Sequence, residues 1–188
     1  MNMYLREDKR VNIDAYGGGK IAYIKHLLGH TDAWRTYKYL KVLRHYEYHY
    51  NALKIASNPI LHFIHKFSAV YYKLKLSRTS ARCNVNICRP NSVGYGFRAT
   101  HVNGGIIINC ESMGNYCTVN SGVVVGVKTS AVKAPVIGNN VELATGCKII
   151  GNVVIGDNVI VAPNSVVVKD VEQNTVVSGV PAKFLKMR

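Results

Sequence analysis

VIGNNVELATGCKIIGNVVIGDNVIVAPNSVVVKDV, residues 136–171, returns an aliphatic side chain at every sixth position: Ile137, Leu143, Ile149, Ile155, Val161 and Val167. An amphipathic helix returns its apolar residues at three and four, and a half-buried strand at two. Six satisfies neither. Four positions after each member stands a second small or branched residue, at Val141, Cys147, Val153, Val159, Ser165 and Val171. Gly or Ala often follows the aliphatic position directly, as at Gly138, Ala144, Gly156 and Ala162. Short strands joined by tight corners produce this pattern. The aliphatic residue points inward, and Gly and Asn make the corner by tolerating positive φ. Three faces per coil give a triangular prism whose stacked coils bury one continuous core, so that no coil is stable alone.

The phase extends backwards through Val125, Val119, Met113 and Ile107, with only Ala131 a weak member. From Ile87 to Val171 the run is 85 residues, between four and five coils of eighteen. One interruption breaks it. Val93 belongs to a repeat, yet the next clear member, Ile107, follows after fourteen residues where twelve are expected. The irregular stretch is RATHVNGG, residues 98–105. Regular coils only pack, whereas an interruption projects side chains outward, where sites occur. His101 lies in this stretch and is the only histidine after residue 65.

The rest of the chain has another texture. Its 188 residues suit one domain with an appendage, and with 48% apolar residues a packed core is expected. No run approaches the roughly eighteen apolar residues of a membrane span. The opening MNMYLREDKR is charged where a signal peptide is hydrophobic, so the expectation is a cytoplasmic protein. The five cysteines are odd in number and form no CxxC, which points to small buried residues and away from a disulfide framework or zinc site. Of the net charge of +14, residues 1–82 carry fifteen Lys/Arg against five Asp/Glu, and residues 83–188 nine against five. The basic front invites an anionic partner.

Within that front, Gly17-Gly18-Gly19-Lys20-Ile21 lacks the GxxxxGK[ST] frame of a phosphate loop and reads as a turn. Residues 21–56 read as helix with Asp32 as N-cap, Pro59 breaks the run, and 60–76 resume it. His45/His49 and His62/His65 sit at helical spacing without an accompanying carboxylate cluster, so no metal site is expected. The join falls near Ser77–Arg82. The reading is therefore a basic α-helical region over 1–82, a β-helix over 83–180 and a C-terminal tail over 181–188.

Residues 86–188 resemble the hexapeptide-repeat acyltransferases, whose fold is mainly β, a left-handed parallel β-helix. Within them the chain looks like the serine O-acetyltransferase branch, and most like its capsule and exopolysaccharide relatives. VGYGFRATHVNGGIIIN, NYCTVNSGVVVG, APVIGNNVELATGCKIIGN, and VVVKDV followed by VVSGVPAKFL carry the likeness. The resemblance implies acetyl-coenzyme A as co-substrate with no metal required. It also implies a homotrimer, or a dimer of trimers, with sites between subunits. His101 matches the catalytic histidine. A hydroxyl is barely nucleophilic at neutral pH, so a base must take its proton as it attacks the thioester, and histidine titrates in the right range. For the donor, the resemblance places the pantetheine arm along Gly126, Val127, Thr145 and Pro163. Lys183 and Lys186 either meet the nucleotide phosphates or are solvated tail lysines.

The departures shape the expected acceptor. Where serine enzymes carry the histidine-orienting aspartate, the aspartate before the histidine and an Arg-His pair, this chain has Asn86, Thr100 and Lys133-Ala134. A zwitterionic amino acid needs countercharges, whereas a sugar needs neutral hydrogen-bond partners. The expectation is thus an acetyl-coenzyme A-dependent O-acetyltransferase acting on a sugar or glycan-precursor hydroxyl, with Asn86, Thr100, Asn103 and Lys133 around the acceptor. The alternatives are a serine O-acetyltransferase and a non-catalytic interaction module. Glu111 is the nearby carboxylate of undetermined direction. The basic helices either present a solvated face or make a peripheral contact with anionic membrane, and no nucleic acid is expected.

Overall fold

A computed structural model describes residues 1–14, 24, 31–129 and 133–188. The chain divides into two compact units, Met1–Cys83 and Asn84–Arg188.

The second unit is the left-handed parallel β-helix. One face stacks β1 (Val85–Ile87), β3 (Ile106–Ile108), β6 (Val124–Gly126), β9 (Lys148–Ile150) and β12 (Val166–Val167). A second face stacks β4 (Ser112–Met113), β7 (Val136–Ile137) and β10 (Val154–Ile155). The third carries β2 (Arg98–Thr100), β5 (Thr118–Asn120), β8 (Glu142–Leu143), β11 (Ile160–Val161) and β13 (Thr175–Gly179), followed by β14 (Ala182–Met187). All pairings are parallel except β13 with β14, whose hairpin ends the solenoid. Residues 181–188, read in sequence as a tail, are therefore largely a strand. Most of the two- and three-residue strands supply one inward side chain, β1 and β3 supply two, and Val119, Val125, Leu143, Ile149 and Val161 are fully buried. Burying each is worth about 1.5–3 kcal/mol, which makes this column the main source of stability.

Three details differ from the sequence reading. First, Ile107 points outward at 46% exposure while Ile106 and Ile108 are buried. The core register pairs Ile108 with Val125. The interruption therefore lies between the core residues Ala99 and Ile108, and the corner after Ile108 is one residue short. The net excess of two is right, but it hides a larger insertion.

Second, the apparent weak member Ala131 lies outside the described residues. Ile137 on β7 follows Val125 on β6 after twelve positions where the phase expects six.

Third, Gly114, Gly138 and Gly156 do not occupy positive φ; Asn140, Asn158, Asn164 and Asn174 do. The glycines are needed because coils touch there. A Cβ on Gly114 would stand 2.6 Å from Asn139 Oδ1, and one on Gly138 would stand 2.8 Å from the Asp157 nitrogen. The following residues form a ladder along the prism edge. Tyr95 N–H donates to Asn115 Oδ1 (3.1 Å), Asn115 N–H to Asn139 Oδ1 (2.9 Å), and Asn139 N–H to Asp157 Oδ1 (2.6 Å). The Gly-Asn/Asp pairs of the sequence are this ladder.

The first unit contains α1 (Asn2–Asn12), α2 (Asp32–Ile55) and α3 (Pro59–Cys83). Thr31, and not Asp32, caps α2, accepting the Trp34 N–H at 3.4 Å. Asn58 Oδ1 accepts from the Ile60 and Leu61 nitrogens, so α3 restarts directly after the Pro59 break. It runs through the expected join at 77–82, and the helix stops where Asn84 turns left-handed at φ 53°. Arg44, Asp8 and Glu47 form a buried ionic triad, with Arg44 donating at 2.9 and 3.0 Å. Its charges are hydrogen-bonded, which is the condition for burying them. The outer face of α3 leaves Ile60, Phe63, Ile64, Phe67, Tyr71 and Leu74 exposed. The GGGK turn and the start of the predicted 21–56 helix fall outside the described residues.

Candidate active site

Each third-face strand ends at a corner, and the corners stack. Thr100 pairs with Asn120, and Leu143 pairs with both Val119 and Val161. One or two residues further on, this register sets His101, Ser121, Thr145 and Pro163 in one column. Backbone bonds tie the column: Gly146 N–H to the Ser121 carbonyl at 2.8 Å and Asn164 N–H to the Thr145 carbonyl at 2.9 Å.

The top of the column is where the insertion sits. Val102–Gly104 forms one turn of 3-10 helix, closed by Gly105 N–H donating to the Val102 carbonyl at 3.0 Å. Buried Val102 anchors the bulge. Gly105 adopts φ 76°, which glycine takes without steric cost. Gly104 N–H donates to Ser121 Oγ at 3.0 Å, and a Cβ on Gly104 would collide with that same oxygen. Thr100 Oγ1 and Asn120 Oδ1 are in direct contact beside it.

His101 itself holds a left-handed conformation, φ 53° and ψ 46°, with its side chain exposed. Among the described residues, eight other than glycine adopt positive φ, and six of them are asparagine. Asparagine is the residue these corners favour, because its short side chain tolerates the left-handed region. Histidine at 101 departs from that preference. Its ring makes no hydrogen bond or ion pair among the described residues, so the corner does not need it structurally. A left-handed, solvent-facing imidazole on a rigid, packed turn has the features of a positioned base or ligand.

The sequence-selected residues distribute as follows. Thr100, His101 and Asn103 share this corner, with Thr145 and Pro163 below, both exposed. Asn86 lies outward on β1 opposite Ile107 and makes no hydrogen bond to His101, so it does not orient the ring within this chain. Gly126 and Val127 are elsewhere, at the end of β6 on the first face. An added Cβ at Gly126 would meet nothing within 4 Å, leaving an open flank suited to an extended ligand arm. Lys133 is exposed shortly before β7, while its neighbour Ala134 is buried. Lys183 and Lys186 are exposed on β14, paired with Ser178 and Val176. Glu111 forms an ion pair with Arg89 at 2.6 Å at a different corner. It is not available to His101.

Asn120 and Ser121 went unselected in sequence. Counting one coil on from Thr100 and His101 would have found them, since corner residues of adjacent coils are neighbours. Buried thiols line the core beneath; desolvation pushes Cys117 up to about 11 and Cys147 up to about 12, which keeps both protonated and inert. Among the described residues, no three His, Cys, Asp or Glu side chains cluster as a metal site would require.

Residues 134–169 match the bacterial transferase hexapeptide (six repeats) family. That stretch takes in β7 to β12 of the solenoid. The serine acetyltransferase of Synechococcus elongatus is 35% identical over 95 residues, covering 50% of this chain and 39% of that protein. The one from Buchnera aphidicola is 33% identical over 113 residues, covering 58% and 43%. The chain thus spans less than half the length of these curated relatives. Among solved structures, serine acetyltransferase from Brucella abortus superposes with a TM-score of 0.73 at 21% identity, covering 99% of this chain and 69% of that one. The Neisseria gonorrhoeae enzyme in complex with serine gives 0.70 at 25%, covering 98% and 68%. The likeness of fold thus takes in the helices as well as the solenoid.

Proposed function

We propose that this protein is an acetyl-coenzyme A-dependent O-acetyltransferase in which His101 is the general base. The observation that carries the reading is His101 itself: an exposed imidazole in the left-handed conformation that other corners give mostly to asparagine or glycine, on the one inserted turn of its column. The acceptor hydroxyl would lie against Thr100, Asn103 and Asn120. His101 removes its proton as the oxygen attacks the thioester carbonyl, and backbone N–H groups balance the developing oxyanion. Collapse breaks the C–S bond, and the same proton returns to the departing thiolate.

Serine is the acceptor this reading places first. The named relatives are serine acetyltransferases, and that weighs for serine over the sugar hydroxyl expected from sequence. A neutral hydroxyl acceptor is the second reading, favoured by one observation: the corner presents Thr100, Asn103, Asn120 and Ser121, and none of these is charged. A zwitterion would then need charges from another subunit. Three-fold assembly is part of the proposal, because the open flank at Gly126 and the His101 column lie on different edges of one prism and a neighbour would bring them together. The exposed apolar stripe of α3 would pair trimers, its basic surroundings being the alternative site of contact with anionic membrane. Location in the cytoplasm follows from the donor.

The deciding experiment is thiol release from acetyl-coenzyme A with serine, free sugars and nucleotide sugars as acceptors. Turnover with serine at sub-millimolar concentration supports the first reading. Turnover with a sugar alone supports the second, and none with any acceptor overturns both.

A further inference from the structure

The helical unit holds a cavity of about 620 Å³ between α2 and α3 that the acyl-transfer reading does not use. That volume is within the usual few-hundred to thousand Å³ of small-molecule sites. Its lining is one-sided in charge. Arg35, Lys38 and Lys41 come from α2, and Lys75 and Arg82 from α3, with no carboxylate among the lining residues. Asp32 pairs with Arg35 at 3.8 Å. Among the described residues Lys38, Lys41, Lys75 and Arg82 form no salt bridge, and Lys75 rests over the Tyr71 ring at 5.5 Å. Aromatic surface floors the space. Trp34 carries the Lys38 ammonium 5.1 Å above its ring, and Tyr72 stacks on His45 with centroids 5.1 Å apart.

Five like charges around one concavity repel one another, and burial concentrates the effect. The neighbouring groups register it. His45 is lowered by desolvation and then by Lys41 and Lys75, while Arg35, Lys38 and Arg82 all bear on the buried Cys83 thiol. A solvated helical face would alternate charges to avoid such repulsion. Phosphate is the anion that matches several convergent cations, and a flat ring suits the aromatic floor.

We infer that the cavity between α2 and α3 binds a soluble organic phosphate with at least two phosphate groups, at Arg35, Lys38, Lys41, Lys75 and Arg82. This site is separate from the His101 corner and stands whether or not the acetyl-transfer reading holds.

Trp34 is the only tryptophan of the chain, so its fluorescence reports this cavity directly. Titration of the full-length protein with pyrophosphate, ATP, adenosine and vesicles containing an anionic phospholipid separates the sources. The expected result is saturable change with pyrophosphate and ATP, little with adenosine, and affinity that falls with salt. Lys41→Ala/Lys75→Ala should weaken binding by at least about tenfold, the usual worth of a lost charge-assisted contact. The same double variant should melt no lower than the parent without ligand, since it relieves repulsion. No saturable change with either soluble phosphate, a response to vesicles alone, or unchanged affinity in a folded double variant would each overturn the inference.

Discussion

Replacing His101 by asparagine separates its two conceivable roles more cleanly than alanine can. The residue holds φ 53° and ψ 46° on the inserted turn. A left-handed conformation costs an ordinary L-residue about 1–2 kcal/mol, less for asparagine and histidine. Alanine at 101 should therefore lower stability by about 1 kcal/mol for backbone reasons alone. Asparagine restores the residue type found at six other left-handed positions, so His101→Asn should leave the urea midpoint unchanged or slightly higher. Neither variant disturbs Val102, whose burial anchors the turn. Turnover should behave differently. Both variants lose the base, and a positioned general base is worth about 10²–10⁴ in rate. The paired measurement is thiol release and equilibrium unfolding on the same preparations. An asparagine variant that folds as well as the parent yet loses activity to that extent fits the proposal. One that keeps parental turnover would refute it, and one destabilised by several kcal/mol would mean that the imidazole holds the corner together.

Two glycines on the solenoid should respond oppositely to alanine. At Gly138 the new Cβ would stand 2.8 Å from the Asp157 nitrogen and 2.9 Å from the Gly156 carbonyl carbon, so overpacking should cost about 1–3 kcal/mol in urea unfolding. At Gly126 nothing lies within 4 Å and φ is not positive. That change should be neutral or stabilising by up to about 1 kcal/mol, while raising the KM for acetyl-coenzyme A if the donor lies along that flank. Thiol labelling of the native protein should modify Cys88 alone among the five cysteines, because Cys88 is exposed while the other four are buried. Burial holds Cys110 up at about 11 and Cys147 at about 12, so rapid labelling at either would mean that the coils open.

The fold was legible because a solenoid writes its geometry into spacing. Ile137, Leu143, Ile149, Ile155 and Val161 each fill one inward slot, and all are buried as the six-residue phase requires. The phase was read less well where coils differ in length. Counting through Ile107 rather than Ile108 placed an exposed residue in the core, because three adjacent isoleucines fit either parity. Gly122 and Gly146 hold positive φ as the corner pattern requires, whereas Gly114, Gly138 and Gly156 serve close approach between coils. Sequence shows that a side chain is missing, but not which neighbour needed the room.

For the candidate site the limit has a different origin. His101 could be found because an insertion is visible along the chain. Asn120 and Ser121 show only on counting twenty residues further, because their proximity to it is a relation between coils, set by a register in which Arg98 faces Thr118. The coil below has no insertion at its third corner, so Ser121 stays in the regular column and can receive the Gly104 N–H at 3.0 Å. The regular coil thus braces the irregular one. An inserted turn on a lone hairpin would have to hold its left-handed residue against solvent. On a packed solenoid the neighbouring corner fixes it, and a histidine can be displayed outward without the contacts that would otherwise keep it in place. That is why the one interruption in this column, and not any of the regular corners, is where acyl-transfer chemistry should be sought.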